Sequence, residues 1–299
     1  MIITEGKTKI VRLGLREKTV ILETKDVLTS GDAAKREKIE GISVHKTTQA
    51  ANVFTLLNQR GLPTAFIERV SPTSLLCQQC EMLPLELVVR RYAWGAFLKR
   101  NPGFIRGNGT PHCFDDLVCE FFHKWSVVAP PISETPYLIE EDNARRQFLR
   151  EGIWQEGVYT DPHIQIEDEC WRLYPAKEPL SQSAPLMEIE PLCSRDESRK
   201  IIQSLMIPSF LVLESAWRRV VTLRGSVTLA DMKIEVGRRL LDGELVIADV
   251  IDNDSWRIWP GGDARRQLDK QCFRDNDPLS TVAEKYAIVT ELTKEFLAQ

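Results

Sequence analysis

Residues 229–249, LADMKIEVGRRLLDGELVIAD, constrain this chain more than any other stretch. Over 229–235 one face carries Leu229, Asp231, Lys233 and Glu235 and the other carries Ala230, Met232 and Ile234, the period-2 alternation of a half-buried strand. Asp242-Gly243 supplies a turn, and residues 244–250 return as an apolar strand that delivers Asp249. A strict two-residue loop would set Glu235 opposite Val250 and leave Asp249 on the wrong face. A longer loop or a bulge with Gly243 at positive φ is therefore expected, so that Glu235 and Asp249 face each other. Two carboxylates beside one lysine repel unless a cation joins them, and oxygen-only ligands favour Mg²⁺ carried by substrate phosphates. The pattern alone also accommodates a solvated hairpin face.

A chain of 299 residues buries a substantial core and is expected to form two lobes. Its 39 basic and 43 acidic residues give a net charge of −4, which argues against a nucleic-acid footprint over the whole surface. Seven irregularly spaced cysteines fit reduced thiols in a cytoplasmic protein better than a disulfide framework. Cys77 and Cys80 make a lone CxxC with no second ligand pair, too little for a zinc site. No apolar run approaches the ~18 residues of a membrane span, and the first residues lack a signal-peptide pattern, so a soluble, intracellular protein without membrane contact is expected.

Two short strands at 9–13 and 19–24 open the chain around a turn at 14–18. Lys7 and Lys9 in Gly6-Lys-Thr-Lys9 could lie over phosphates, although the spacing is not that of a Walker loop. A small-residue loop with Asp32 and Lys35 precedes a helix over about 40–60, stopped by Gly61 and Pro63. Residues 65–70 and 85–91 read as further strands, so that a strand-rich lobe over 1–90 precedes a larger α+β lobe over 91–299. Between 101 and 191 the periodicity loosens. Ser194 and Glu197 form a capping box for a helix that Pro208 should kink or split. Residues 250–275 read as a polar loop in which Trp256 and Trp259 are core anchors, and 280–296 as a C-terminal amphipathic helix.

The segments GKTKIV, CEMLPLELVVRRYAWGAFLKRNPG, LADMKIEVG, IADVIDNDSWRIWP and LDKQCFRD resemble, in order, the motifs of the phosphoribosylaminoimidazole-succinocarboxamide synthase (SAICAR synthetase) family. Their wording is closest to the synthetase half of the animal bifunctional enzyme. The resemblance implies a two-lobed α+β fold with a distantly kinase-like nucleotide lobe, and ATP and Mg²⁺ in a cleft between the lobes. It implies an ATP-dependent carbon–nitrogen ligase of purine biosynthesis that joins L-aspartate to the carboxylate of CAIR, giving SAICAR, ADP and phosphate. On this resemblance Lys7 and Lys9 hold ATP phosphates, and a strand from Met82 to Glu86 lines the adenine pocket. Glu235 and Asp249 hold Mg²⁺, and Asp231 and Lys233 sit beside the reacting carboxylate, with Lys233 stabilising charge. Arg90 and Arg257 clamp the nucleotide substrate, while Asp32, Lys270 and Arg274 help to place the acidic substrates. A homo-oligomer is in keeping with the family.

The chain departs from the family pattern in two places. Ala96 follows Gly95 where relatives carry a hydroxyl that binds the nucleotide substrate, and Trp94 replaces a small residue. A hydroxyl lost from a charged contact costs about 1.5–3 kcal/mol of binding. Near Phe121-Phe-His-Lys-Trp125, His123 takes the place of an ATP-binding lysine, with Lys124 one residue away as its substitute and His123 itself a surface or packing residue. An insertion near 126–160 follows. These departures keep two alternatives open, a paralogous ligase for a related heteroaryl carboxylate in nucleoside natural-product assembly and a non-catalytic nucleotide-binding relative.

Overall fold

The computed structural model describes residues 1–6, 8–30, 35–124, 161–167 and 170–298. Lys7, Asp32 and the insertion at 126–160 lie outside the described residues.

A five-stranded antiparallel sheet, in the order β1-β2-β3-β7-β6, is built entirely from the first 78 residues: β1 (Ile2–Glu5), β2 (Lys9–Leu13), β3 (Thr19–Thr24), β6 (Phe66–Ser71) and β7 (Ser74–Gln78). A ribbon of β4 (Val27–Ser30) and β5 (Lys35–Lys38) leads into helix α1 (Ile42–Gln59), whose apolar face carries Ala50, Val53, Phe54 and Leu57 into the core. Gly61, at φ +74°, ends α1, and the Leu62 amide bonds back to the Leu57 carbonyl. The expected single strand from 82 to 86 is instead two, β8 (Cys80–Met82) and β9 (Leu85–Tyr92), because Pro84 has no N–H to give a ladder.

From β8 onward the strands belong to a second sheet of ten. Helix α2 (Ala96–Arg100) separates β9 from β10 (Cys113–His123), and β11 (His163–Ile166), β12 (Trp171–Tyr174) and β13 (Met187–Ile189) continue it antiparallel. This corrects the loose reading of 101–191, where irregular burial along β10 masks an eleven-residue strand. The Ser194–Glu197 capping box is present and starts α3 (Arg195–Lys200). A π-helical stretch, Ile201–Met206, absorbs the donor missing at Pro208 and joins α3 to α4 (Ile207–Arg219) without a break.

After the short β14 (Val221–Thr222), β15 (Gly225–Arg239) runs fifteen residues through the sheet. Its first half lies between β9 and β17 (Trp256–Pro260), and its second half pairs with β16 (Leu245–Ala248) and β8. The β15–β16 connection is longer than two residues, as expected, with Gly243 at φ +76°. Glu235, however, faces Ala248 in the ladder, and Asp249 lies just beyond the strand at φ +57°. The left-handed residue, not strand register, turns the Asp249 carboxylate. β17 overturns the reading of 250–275 as loop, while Trp256 and Trp259 are buried anchors as expected. Helices α5 (Gln271–Arg274) and α6 (Leu279–Lys294) close the chain, α6 packing on α1 through hydrogen bonds from Gln49 to the Tyr286 carbonyl and from Asn52 to Thr293.

Trp217, fully buried on α4, meets Trp256 and Phe296 edge-on at centroid distances of 5.2 and 4.9 Å and ties β17 to the C-terminus. Trp217→Ala should destabilise the fold by about 3–5 kcal/mol. Urea titration is expected to show a lower midpoint, with Leu223→Ala, at a fully exposed site, as the unchanged control.

Candidate active site

Strand alternation aims one row of charges into a single cleft. Leu85, Leu87 and Val89 of β9 are fully buried, whereas Glu86, Val88 and Arg90 on the other face line a cavity of about 660 Å³. Asp231, Lys233 and Glu235 of β15, Arg257 of β17 and Lys124 at the end of β10 join them, with Lys9 of β2 and Asp249 opposite. Asp231, Lys233 and Glu235 thus share the cavity-facing side as predicted, whereas Leu229, expected with them, lies in the core before the bulge, and Met232 also reaches the lining.

Three lysines and three carboxylates interlock at one end. Lys9 pairs with Asp249 and Lys124 with Glu235. Lys233 donates to Glu86 at 2.6 Å and lies 3.7 Å from Glu235. Burial alone would raise the Asp249 pKa, but Lys9 first, then Lys124 and Lys233, hold it at about 2. Burial would likewise lower the Lys233 pKa, yet Glu86 and then Glu235 push it up and favour the charged form. Lys124 thus supplies the charge that His123 does not. His123 is buried at the end of β10, and burial drives its pKa down to about 4.

Beside this cluster runs a buried row of alternating charge. Asp231 stands opposite Arg90 on one side and Arg257 on the other. A bulge at Leu229–Asp231 creates this level, since an unbroken ladder would set Arg257 against Ala230. Arg90 donates to Asp231 at 2.9 Å and to Glu120 at 2.7 Å, Arg257 donates to both Asp231 oxygens at 2.9 and 2.7 Å, and Arg100 reaches Glu120 at 2.7 Å. Asp231, only 3% exposed, is gripped by two guanidiniums where it lines the cavity. Arg90 is equally committed, which leaves Arg257 as the more accessible fork.

A third group occupies the wall formed by α1 and α5. Lys46, buried on α1, donates to Asp254 at 2.8 Å, and Lys270 reaches the same oxygen at 3.2 Å. Tyr286 donates to the other oxygen of Asp254. Burial lowers the pKa of both lysines, and Asp254 reverses this for Lys46 but not for Lys270, which the Lys46 charge lowers further. Arg274 lines the cavity with no carboxylate within ion-pair distance among the described residues. Lys35 is anchored instead to the Phe273 carbonyl at 2.7 Å.

Ala96 lines the cleft at the start of α2 and offers no hydroxyl, while Trp94 packs edge-on to Trp259 at 5.3 Å and adds no bulk to the lining. Met82 stands at the end of β8, 42% exposed, and of Met82 and Glu86 only Glu86 lines the cavity. Three residues escaped the sequence reading, and each left a signal. Lys46 sits on the apolar face of α1, and Glu120 and Arg100 are charges in apolar surroundings that require partners.

Ten Lys and Arg but only seven Asp and Glu line the cleft of a chain whose net charge is −4. Such a scaffold is that of an enzyme for anionic substrates. The sequence profile of the SAICAR synthetase family matches residues 2–137 and 194–291. A phosphoribosylaminoimidazole-succinocarboxamide synthase of Chloroflexus aurantiacus is 36% identical over 300 residues, covering 98% of this chain and 95% of that protein. A probable multifunctional protein ADE2 of Caenorhabditis elegans is 35% identical over 99% of this chain and 58% of its own length. A SAICAR synthetase solved in complex with ADP shares the fold with a TM-score of 0.66 at 22% identity, covering 98% of this chain and 97% of that one. The chain belongs to the SAICAR synthetase family and is an ATP-dependent ligase. Among the described residues no helix is long and apolar enough to cross a membrane.

Glu120 generates a test of the arginine row. Burial opposes its charge, but Arg90 and Arg100 hold its pKa below the usual 4.5, so its stabilisation is present above that value and is lost as pH falls through the lowered folded one. Glu120→Gln should cost about 3–5 kcal/mol at about pH 7, and its deficit in unfolding free energy against wild type should shrink as pH falls below the usual glutamate range.

Proposed function

We propose that the cleft joins L-aspartate to the carboxylate of CAIR, with ATP converted to ADP and phosphate, in cytoplasmic purine biosynthesis. The observation that carries this reading is the convergence of Lys9, Lys124 and Lys233 on Glu86, Glu235 and Asp249 within one cavity of a chain of this family. A carboxylate is a poor acyl donor. Transfer of the γ-phosphoryl group to one of its oxygens gives an acyl phosphate and ADP. The neutral amine of aspartate then attacks the acyl carbon, phosphate leaves, and the nitrogen sheds its proton. The first step gathers negative charge, which fixed cations stabilise by several kcal/mol.

In this reading Lys9 and Lys124 bind ATP phosphates, together with Lys7, and Lys233 stabilises charge on the group in transfer. Glu86 positions Lys233. Arg257, backed by Asp231 and Arg90, faces the nucleotide substrate beside Ala96, while Lys270 and Arg274, with Asp32, serve the acidic substrates. The nucleotide lobe is centred on residues 1–90 and the substrate lobe on 91–299, with β9 crossing the division and Lys124 reaching back to the phosphate site.

Glu235 and Asp249 fit Mg²⁺ by their chemistry, two oxygen donors on one cleft. Mg²⁺ keeps waters and phosphate oxygens among its ligands and needs only one or two protein carboxylates. Held there, Mg²⁺ would neutralise phosphate charge.

Purified protein with ATP, Mg²⁺, L-aspartate and CAIR should release ADP and the succinocarboxamide in equal amounts, and a chelator in excess should stop both. Asp249→Asn should lower turnover by more than about tenfold. Formation of ADP only with another carboxylate would refute the substrate assignment, and unchanged turnover in the variant would refute the metal role.

A further inference from the structure

Fixed cations alone do not complete an amide ligase. The amine of an amino acid arrives as an ammonium ion with no lone pair to give, so a proton must leave it before it attacks. The group that takes this proton must border the cleft, hold an oxygen free of cations, and bind a proton more readily than an ordinary carboxylate.

Of the acids that β9, β15 and residues 249–254 place on the cleft, all but one are paired. Glu86, Glu235 and Asp249 hold the three lysines, Asp231 holds two arginines, and Asp254 holds Lys46 and Lys270. Asp252 is the exception. It lines the same cavity, is only 1% exposed, and has no lysine or arginine within ion-pair distance among the described residues. The local backbone fixes its direction. The Ser255 amide donates to the Asp252 carbonyl, the Asp252 amide donates to the Ser255 hydroxyl at 3.3 Å, and one carboxylate oxygen accepts the Asp254 amide at 2.8 Å. The other oxygen accepts no hydrogen bond among the described residues.

Asp252 stands at the junction of the two ends of the cleft. Lys46 of α1 and Lys9 of the lysine cluster both favour its charge, Asp254 beside it opposes that charge, and Tyr286 of α6 faces it from the core. Burial outweighs the lysines and leaves its pKa above the usual 3.8, whereas Asp254 is held far below that value and Asp249 at about 2. Asp269, a buried acid that faces Arg257 and Arg274, also has a raised pKa. Its two oxygens, however, accept the amides of Ile258 and Gln271 at 3.2 and 2.9 Å, and it does not border the cavity.

We propose that Asp252 is the proton acceptor for the amine substrate. Its open oxygen takes one proton from the ammonium group, and the lone pair left on nitrogen forms the bond to the acyl carbon. The bond from that carbon to the phosphate oxygen breaks, and phosphate leaves with the electron pair. The proton then shed by the amide nitrogen passes to the departing phosphate, and Asp252 returns its own to water. This rests on the ligase reading above, which leaves the first proton without an acceptor.

The test compares two nucleophiles. Hydroxylamine is uncharged at neutral pH and attacks acyl phosphates without help from a base, giving a hydroxamate, whereas aspartate arrives as an ammonium ion. With ATP, Mg²⁺ and CAIR, Asp252→Asn should form the aspartate amide at least about a hundredfold more slowly than wild type, yet form the hydroxamate within about threefold of the wild-type rate. Asparagine keeps the oxygen that accepts the Asp254 amide, and the hydroxamate reports that the cleft and phosphoryl transfer are intact. Asp252→Ser, whose hydroxyl offers the same amide an acceptor, should repeat the split. Amide formation near the wild-type rate, or parallel loss of amide and hydroxamate in both variants, overturns the proposal and leaves Asp252 a turn residue. Wild type that binds ATP but forms neither product refutes the ligase reading instead.

Discussion

The pairing of Asp231 with Arg90 and Arg257 across three adjacent strands is the constraint on which the cleft depends. Ionised side chains removed from water cost several kcal/mol each unless a partner of opposite sign is close and well aligned. Here the alignment comes from strand register, because residues directly opposite in a ladder lie about 5 Å apart. A one-residue slip of β15 would leave both arginines buried against Ala230 or Met232. Charge pairing and register therefore enforce each other, and the row continues through Glu120 to Arg100, which ties β10 and α2 into the same frame.

This frame divides the cleft by electrostatics. Where lysines and carboxylates alternate one for one, a site can accept a cation and a polyanion together without a large change in charge. Where guanidinium and ammonium groups exceed carboxylates, it attracts anions alone. In the proposed function the first end takes the metal–nucleotide pair and the second the acidic substrates, and the lysine cluster and the arginine row are built on the same faces of β9 and β15. The raised pKa of Lys233 follows from its place at the first end, between two carboxylates that offset its burial.

Much of this was legible in the sequence because strands have period two. The alternation at 229–235 placed Asp231, Lys233 and Glu235 on one face, and the capping box at Ser194 marked a helix start, both from local patterns alone. What was not legible depends on partners distant in sequence. β17 reads as loop because its polar Arg257 and short length give no periodicity, and only the ladder with β15 makes it a strand. Glu120 and Arg100 are twenty residues apart, and their pairing emerges when β10 lies against β9. Lys46 shows as an oddity on an apolar helix face, but its partner Asp254 is more than two hundred residues away. The division of 80–92 into β8 and β9 follows from Pro84, which interrupts a run that otherwise reads as one strand.

The two backbone irregularities at the cleft show where local preference yields to the site. Asp249 adopts φ +57°, a region that costs a non-glycine residue roughly 1–2 kcal/mol, immediately after a strand whose register would have turned its carboxylate to the other face. Gly95 adopts φ +60°, and a Cβ there would lie 2.7 Å from a guanidinium nitrogen of Arg257. A side chain at residue 95 would thus push against the arginine that Asp231 holds. One irregularity brings a carboxylate to the lysines, and the other leaves room for an arginine beside α2. In both cases regular β-structure supplies the row of charges, and a single residue outside it sets the final direction, so the functional geometry is concentrated at the strand ends where sequence periodicity stops carrying information.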